Sequence, residues 1–307
     1  MASNKPRVFI DGESGTTGLG IRARLEALPE IALKSLPAEL RRDNAARRDI
    51  MAEANLVILC LPDDAAREAV ALADGLGDNV PKLLDASTAH RVDPAWTYGF
   101  PEMIPGQPGR IAGARKVSNP GCYPTGAIGL LRPLVEAGLI PRDYPISINA
   151  VSGYSGGGRG MIEAHERAGE PAFELYALDL EHKHVPETEF YAGLSRRPIF
   201  VPSVGHFRQG MLVSVPLHLD ALPGKPRGAD LHDALAAFYD GAEYVRVVEP
   251  AADGKLEPKA LNDTNRLELA VYANEKRRQA VLVARLDNLG KGASGAAVQN
   301  LRLMLGL

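Results

Sequence analysis

Two patterns of apolar positions follow one another along the chain. Through roughly the first third, short apolar runs are separated by stretches with helical spacing. Arg7-Val8-Phe9-Ile10-Asp11, Ile31 to Leu36, Leu56 to Leu61 and Lys82-Leu83-Leu84-Asp85 read as strands, and Leu19 to Leu25 and Ala65 to Leu76 as helices. Strand alternating with helix predicts a parallel sheet with ligands at the carboxyl ends of its strands. From Pro145 the pattern changes. Ile146 to Val151, Met211 to Leu219, Leu267 to Tyr272 and Ala280 to Leu286 are strand-like with fewer helices between them, which predicts a mixed or antiparallel sheet. Met161 to Ala168 reads as a helix and Pro223 to Gly228 as a surface loop. No internal repeat or low-complexity linker interrupts the chain, and a domain boundary is placed near Val117. The expected class is α/β, a Rossmann-like dinucleotide-binding domain followed by an α+β domain.

Composition narrows the function classes. A chain of 307 residues suits two domains, and 45% hydrophobic with 24% charged residues is the balance of a soluble globular protein. A formal net charge of -3 gives no reason to expect nucleic acid or an anionic membrane as partner. The start, Met1-Ala2-Ser3-Asn4-Lys5-Pro6, lacks an apolar leader, and no stretch approaches a membrane span. Two cysteines make no disulfide framework, and Cys60 lies in an apolar run, so a reducing, cytoplasmic setting is expected.

The first strand runs into Gly12-Glu13-Ser14-Gly15-Thr16-Thr17-Gly18 and then a helix beginning near Thr16 or Thr17. The spacing is Gly-x-x-Gly-x-x-Gly rather than Gly-x-Gly-x-x-Gly, but the physical task is similar. Glycines let the backbone approach a pyrophosphate, and the helix N-terminus supplies donors. The second strand ends at Ser35, where NAD sites often carry an acid, and Arg41, Arg42, Arg47 and Arg48 follow. Arginine suits a 2′-phosphate, which favours NADP(H), although a solvated basic helix face is the alternative for any one of them. Pro62 and Ser87 follow the next two strands, at the carboxyl edge where a cofactor would lie.

Cys122 stands in Ser118-Asn119-Pro120-Gly121-Cys122-Tyr123-Pro124-Thr125, before the helically spaced Ala127, Ile128, Leu130, Leu131, Leu134 and Val135. Cysteine is often only a small buried hydrophobe. At a helix N-terminus, however, unpaired N–H groups and the helix dipole favour thiolate, and the same amides could hold an oxyanion. Ser152-Gly153-Tyr154-Ser155-Gly156-Gly157-Gly158-Arg159-Gly160 offers backbone donors beside an arginine, suited to a phosphate or carboxylate. His182-Lys183-His184-Val185-Pro186-Glu187 supplies imidazoles for proton transfer. Its His-x-His spacing also resembles metal ligands in an extended segment, but no further ligands cluster with it and no metal is expected. His206, in Val204-Gly205-His206, is another base candidate.

At these residues the chain resembles the N-acetyl-γ-glutamyl-phosphate reductases of arginine biosynthesis, in their shorter form. The Cys122 segment, the loop from Gly12 to Gly18, the Ser152–Arg159 loop, His182-x-His184-x-Pro186-Glu187, and Asp287-Asn288-Leu289-Gly290-Lys291-Gly292 are each similar to a family motif. The resemblance implies a catalytic domain of glyceraldehyde-phosphate-dehydrogenase type and assembly as a dimer or tetramer. Residues 1–117 would bind NADP, residues 118–287 would carry catalysis and assembly, and a final helix within 288–307, striped by Val298, Leu301 and Leu305, would return to the first domain. It also implies that Cys122 forms a thioester with the acyl-phosphate substrate and that NADPH reduces it. His184 is the first choice of acid/base, then His182 or His206. Asn288 would orient the nicotinamide, with Lys291 in the same cofactor segment, and Asn119, Ser155, Gly156 and Arg159 would place the substrate. In one place the chain departs from longer members: Phe200 to His206 puts the histidine three positions later than their Thr-Pro-His. The alternatives are an aspartate-semialdehyde dehydrogenase and a non-catalytic NADP-binding sensor.

Overall fold

The first strand, β1 (Arg7–Asp11), buries Val8 and Ile10 on one side and Phe9 on the other, so both its faces must be covered. The computed structural model, which describes residues 5–167 and 171–307, shows how this is done. After β1 come α1 (Thr16–Glu26), β2 (Ala32–Lys34), α2 (Asn44–Glu53), β3 (Leu56–Leu59), α3 (Asp63–Asp74), β4 (Lys82–Asp85), β5 (Thr97–Tyr98), α4 (Gln107–Gly113) and β6 (Lys116–Ser118). The six strands form a parallel sheet in the order β2-β1-β3-β4-β6-β5. Leu56 and Ile58 of β3 join Val8 and Ile10 under α1 and the C-terminal helix Gly295–Leu305, through Ile21, Leu25, Ala297, Leu301 and Met304. Val57 and Leu59 join Phe9 under α2 and α3, through Met51, Ala69 and Val70. β2 and β3 flank β1 on opposite sides, so the chain reverses direction across the sheet at the carboxyl end of β1. That is where such folds take a ligand.

The chain divides into two units, residues up to Pro120 with Ala293–Leu307, and Gly121–Gly292. The second unit holds α5 (Cys122–Glu136), β7 (Ser147–Gly153), α6 (Gly158–His165), β8 (Phe173–Leu175), α7 (Val185–Ala192), β9 (Ile199–Gly205), β10 (Met211–His218), α8 (Gly228–Phe238), β11 (Val245–Val247), β12 (Leu267–Asn274) and β13 (Gln279–Leu286). Its seven-stranded sheet runs β11-β12-β13-β10-β7-β9-β8, with β7–β9 and β11–β12 parallel and the other pairs antiparallel. The α/β class and the mixed second sheet match the expectation from pattern. α5 lies close on this sheet because Gly126 has no side chain: a Cβ there would come within 2.9 Å of Val213 and 3.2 Å of Ala284. The opposite face of the sheet is an open, largely apolar groove of about 690 Å³, lined by residues that include Val151, Val201, Leu212, Tyr272, Val281 and Val283.

Several elements differ from the reading of the sequence. β9 is a full strand where none was expected, and the residues after His184 form α7 rather than an extended segment. Arg47 is not on a solvated face. It is buried and pairs with Asp11 at 2.8 Å, because α2 packs against β1. The helix expected over Met161 to Ala168 is α6, which ends at His165; Ala168 and Met1–Asn4 lie outside the described residues. No helix among the described residues is long and apolar enough to cross a membrane.

Candidate active site

Cys122 is the first residue of α5, a helix whose residues from Tyr123 to Leu131 are all buried. Gly121 precedes it in an extended conformation with no side-chain cap on the helix, as Cys122 itself begins the first turn. Three hydrogen bonds fix this corner. Thr125 donates both its N–H and its hydroxyl to the Gly121 carbonyl, at 3.0 and 2.8 Å. The Gly121 N–H donates to the buried carboxylate of Glu187, at 3.2 Å. The segment after β13 closes in from another side. A Cβ at Gly292 would lie 2.8 Å from the Cys122 Cβ, so only glycine lets the chain pass.

A group of rings gathers around Tyr123, the residue that follows the cysteine. Tyr123 donates to the Ser203 carbonyl at 3.1 Å and accepts from the Tyr176 hydroxyl at 3.0 Å. His182 and His184 stand edge-on to one another at 4.8 Å, and each lies 5.9 Å from the Tyr123 ring. The His184 N–H donates to Nδ1 of His182 at 3.1 Å, which fixes the acceptor tautomer of that nitrogen. Burial, with a contribution from negative charge at Cys122, pushes the Tyr123 phenol well above its usual range. Tyr176 rises to about 12, chiefly through burial. Both phenols therefore stay protonated beside the cysteine and can only donate or accept hydrogen bonds there.

The other predicted residues of this unit fall into two groups. His206 lies apart from the pair above, its Nδ1 3.3 Å from Nδ1 of His165 and its ring tilted against Tyr154 at 5.9 Å. Ser155 is buried and its hydroxyl accepts from the Asn288 amide at 3.0 Å, while the Asn288 oxygen accepts from the Gly210 N–H at 2.8 Å. The amide of Asn288 thus ties the glycine-rich loop to the loop before β10. Gly156 is exposed, and a Cβ on it would meet Ser152 Oγ at 2.9 Å; Arg159 is exposed in the first turn of α6. Lys291 is buried with its ammonium 5.3 Å from the centre of the Tyr244 ring.

In the first unit two glycines of the loop stand where no side chain fits. Gly12 has φ +89°, and a Cβ on it would lie 2.3 Å from the Cys60 carbonyl oxygen. A Cβ on Gly18 would lie 2.6 Å from the Gly12 carbonyl oxygen. α1 begins at Thr16 with no side-chain cap and no acid in its first turn, so its N-terminal amides remain available to an anion. This fits a dinucleotide's pyrophosphate. Ser35 and Arg41 come together on Glu13, which pattern reading passed over inside the loop. Glu13 pairs with Arg41 at 2.6 Å and with Arg22 at 2.6 Å, and accepts from the Ser35 hydroxyl at 3.0 Å. Arg42 is exposed and takes no part in this group. Pro62 precedes α3, and Ser87 donates its hydroxyl to the buried Asp85 at 2.7 Å. The amide of Asn119 is held inside the unit, donating to the Ala293 carbonyl and accepting from Asn300 at 3.1 and 3.0 Å.

The fold and the cysteine corner together define the semialdehyde dehydrogenase class. Residues 122–288 match the family described as semialdehyde dehydrogenase, dimerisation domain. The fold is similar to that of aspartate semialdehyde dehydrogenase II from Vibrio cholerae, solved in complex with ASA, with a TM-score of 0.73 at 14% identity over 99% of each chain. It is also similar to aspartate semialdehyde dehydrogenase with NADP from Candida albicans, with a TM-score of 0.66 at 13% identity over 98% and 100% of the two chains. Much nearer in sequence are the N-acetyl-gamma-glutamyl-phosphate reductase of Burkholderia cenocepacia, 54% identical over 98% of this chain and 97% of that one, and N-acetyl-gamma-glutamyl-phosphate reductase 2 of Pseudomonas putida, 53% identical over the same shares. The chain belongs to the N-acetyl-gamma-glutamyl-phosphate reductase family.

Proposed function

We propose that this protein reduces N-acetyl-γ-glutamyl phosphate to N-acetylglutamate semialdehyde with release of phosphate, using NADPH, in arginine biosynthesis. The observation that carries the reading is Cys122 as the opening residue of a buried helix, followed by Tyr123 with two histidine rings and a second phenol packed on it, in a chain of this family.

The Cys122 thiolate attacks the acyl carbon, the carbon–oxygen bond to phosphate breaks, and phosphate departs to leave a thioester on the sulfur. The start of α5 carries no side-chain cap, and its amides would hold the acyl oxygen as charge gathers there in the tetrahedral species. NADPH, when bound, supplies the hydride that converts the thioester carbon to the aldehyde level. His184 donates a proton to the oxygen of the resulting hemithioacetal and takes it back as the carbonyl re-forms and the carbon–sulfur bond breaks. His182 is the second choice for that role and His206 the third, since His206 is engaged with His165 and Tyr154. Arg159, with Ser155 and Gly156 shaping its loop, binds the anionic end of the substrate. Asn119 acts through the segment it holds, by way of Ala293 and Asn300, rather than by broad contact with a ligand.

The residues of the first unit fit NADP(H). The amides from Thr16 through Gly18 take the pyrophosphate, beside the turn that the Gly15 N–H closes on the Gly12 carbonyl, and Ser35 with Arg41 takes the 2′-phosphate. Pro62 and Ser87 border the cofactor on the same sheet edge. Asn288 and Lys291 remain the candidates for the nicotinamide end. The open apolar groove on the second sheet, together with exposed Phe173 and Leu175 on its edge strand, supports a homodimer or a higher assembly built from it. The protein is read as cytoplasmic, with a small-molecule substrate and neither nucleic acid nor membrane as partner.

The test is the reverse reaction. NADP reduction should occur with N-acetylglutamate semialdehyde and inorganic phosphate, depend on both, and be far slower with aspartate semialdehyde. Preference for aspartate semialdehyde would overturn the substrate assignment, and no phosphate dependence would overturn the reaction.

A further inference from the structure

We infer that Glu13 is a built-in stand-in for the cofactor's 2′-phosphate and sets how strongly the enzyme prefers NADPH to NADH. The inference rests on the NADP(H) reading above and concerns the residues that would hold that phosphate.

The carboxylate of Glu13 leaves the glycine loop between β1 and α1 and is almost fully buried. One oxygen meets Nη2 of Arg41 at 2.6 Å, and the other meets Nη1 of Arg22 at 2.6 Å and the Ser35 hydroxyl at 3.0 Å. Arg22 also donates to that hydroxyl at 2.6 Å. Two guanidiniums and a hydroxyl converging on one anion form the donor set that a phosphate monoester uses. They converge immediately after β2, the place where dinucleotide folds read the 2′ position of the adenine ribose. The two arginines remain partly exposed, at 34% and 40%, so a ligand can reach them, while the carboxylate between them is at 8%.

The consequence follows from charge. A 2′-phosphate cannot share this site with the carboxylate, because the two anions would compete for the same N–H groups and repel each other. NADPH must therefore displace Glu13, and its affinity is lowered by the stability of the closed ion pairs. NADH brings a hydroxyl instead, which can donate to the carboxylate where it stands. Glu13 thus holds NADPH binding down and leaves NADH binding intact. Arg22, which neighbours neither Arg41 nor Ser35 in sequence, becomes a phosphate contact of the same rank as Arg41.

Calorimetric titration of the full-length protein with adenosine 2′,5′-bisphosphate and with 5′-AMP isolates the 2′ group from turnover. Glu13→Gln should bind the bisphosphate about tenfold more tightly than the parent and bind 5′-AMP equally well, as expected for removing one charged competitor at a partly exposed site. Its kcat/KM ratio for NADPH over NADH should widen to a similar extent. Arg22→Gln should weaken the bisphosphate about tenfold and leave 5′-AMP unchanged. If Glu13→Gln binds the bisphosphate no better than the parent, or loses affinity for both ligands together, the inference is overturned, and a parent that still prefers the bisphosphate leaves the NADP(H) reading standing. A parent that binds both ligands equally, with preference appearing only in Glu13→Gln, would support the role of Glu13 and overturn the NADP(H) reading instead.

Discussion

The carboxylate of Glu187 accepts the N–H of Gly121, the residue immediately before the cysteine that opens α5. The acceptor comes from the first turn of α7, sixty-six positions away in sequence. It satisfies a buried donor and fixes the turn that presents Cys122. Glu187→Ala should leave that N–H unsatisfied and cost about 1–3 kcal/mol, whereas Glu187→Gln keeps an oxygen in place and should cost less. Thermal or urea unfolding of the two variants gives the comparison. Equal stability of Glu187→Ala and the parent would show that the contact does not hold the corner.

The histidines separate by their partners. His184 adjoins the ring of Tyr123, the residue after the cysteine, while His206 is tied to His165. His184→Asn should lower kcat by roughly 10²–10⁴-fold and remove one ionisation from the pH–rate profile. His206→Asn should retain that ionisation, and His182→Asn should raise KM more than it lowers kcat. Loss of the ionisation in His206→Asn alone would reverse the ranking.

Arg41 and Arg42 are adjacent in sequence but unlike in structure. Arg41→Ala removes a guanidinium from the group around Ser35 and Glu13, and should reduce NADPH affinity several-fold more than NADH affinity. Arg42→Ala should leave both unchanged, since Arg42 stands outside the group. Binding titrations with each cofactor decide between them.

The phenols predict an alkaline limit to stability. Tyr176 is raised to about 12 by burial, against 10 for the free side chain, and Tyr123 is raised as well. Between those values the unfolded chain loses the proton and the folded one keeps it, so stability is full below pH 10 and falls as pH rises toward 12. The slope is at most about 1.4 kcal/mol per pH unit for each phenol. Tyr176→Phe should flatten the decline in denaturation measured from pH 9 to 11. An unchanged slope would show that this phenol does not titrate late.

Much of the first unit was legible because its signals are local. β1 and β4 match their apolar runs end to end, and the switch from loop to helix at Thr16 follows from the glycines before it. Cys122 was legible for the same reason, as one short segment contains the turn, the thiol and the start of the helix. β9 was not, because Pro202 and Ser203 interrupt its apolar pattern; what makes it a strand is pairing with β7 on one side and β8 on the other. The carboxylate of Glu13 was missed because its partners come from α1, the end of β2 and the segment before α2, and only folding brings them to one point. The pairing of His206 with His165 likewise spans forty-one residues that carry no common motif.

The proposed reaction passes through a covalent acyl enzyme on Cys122. The direct measurement mixes the protein with N-acetyl-γ-glutamyl phosphate in the absence of NADPH, and follows phosphate release together with the intact mass of the chain. A burst of about one phosphate per active site is expected, with an added N-acetylglutamyl group on Cys122. Later NADPH should discharge that group as the semialdehyde. Cys122→Ser should show neither burst nor adduct while still binding NADPH. Turnover by Cys122→Ser near the parental rate, or reduction without any Cys122 adduct, would contradict it.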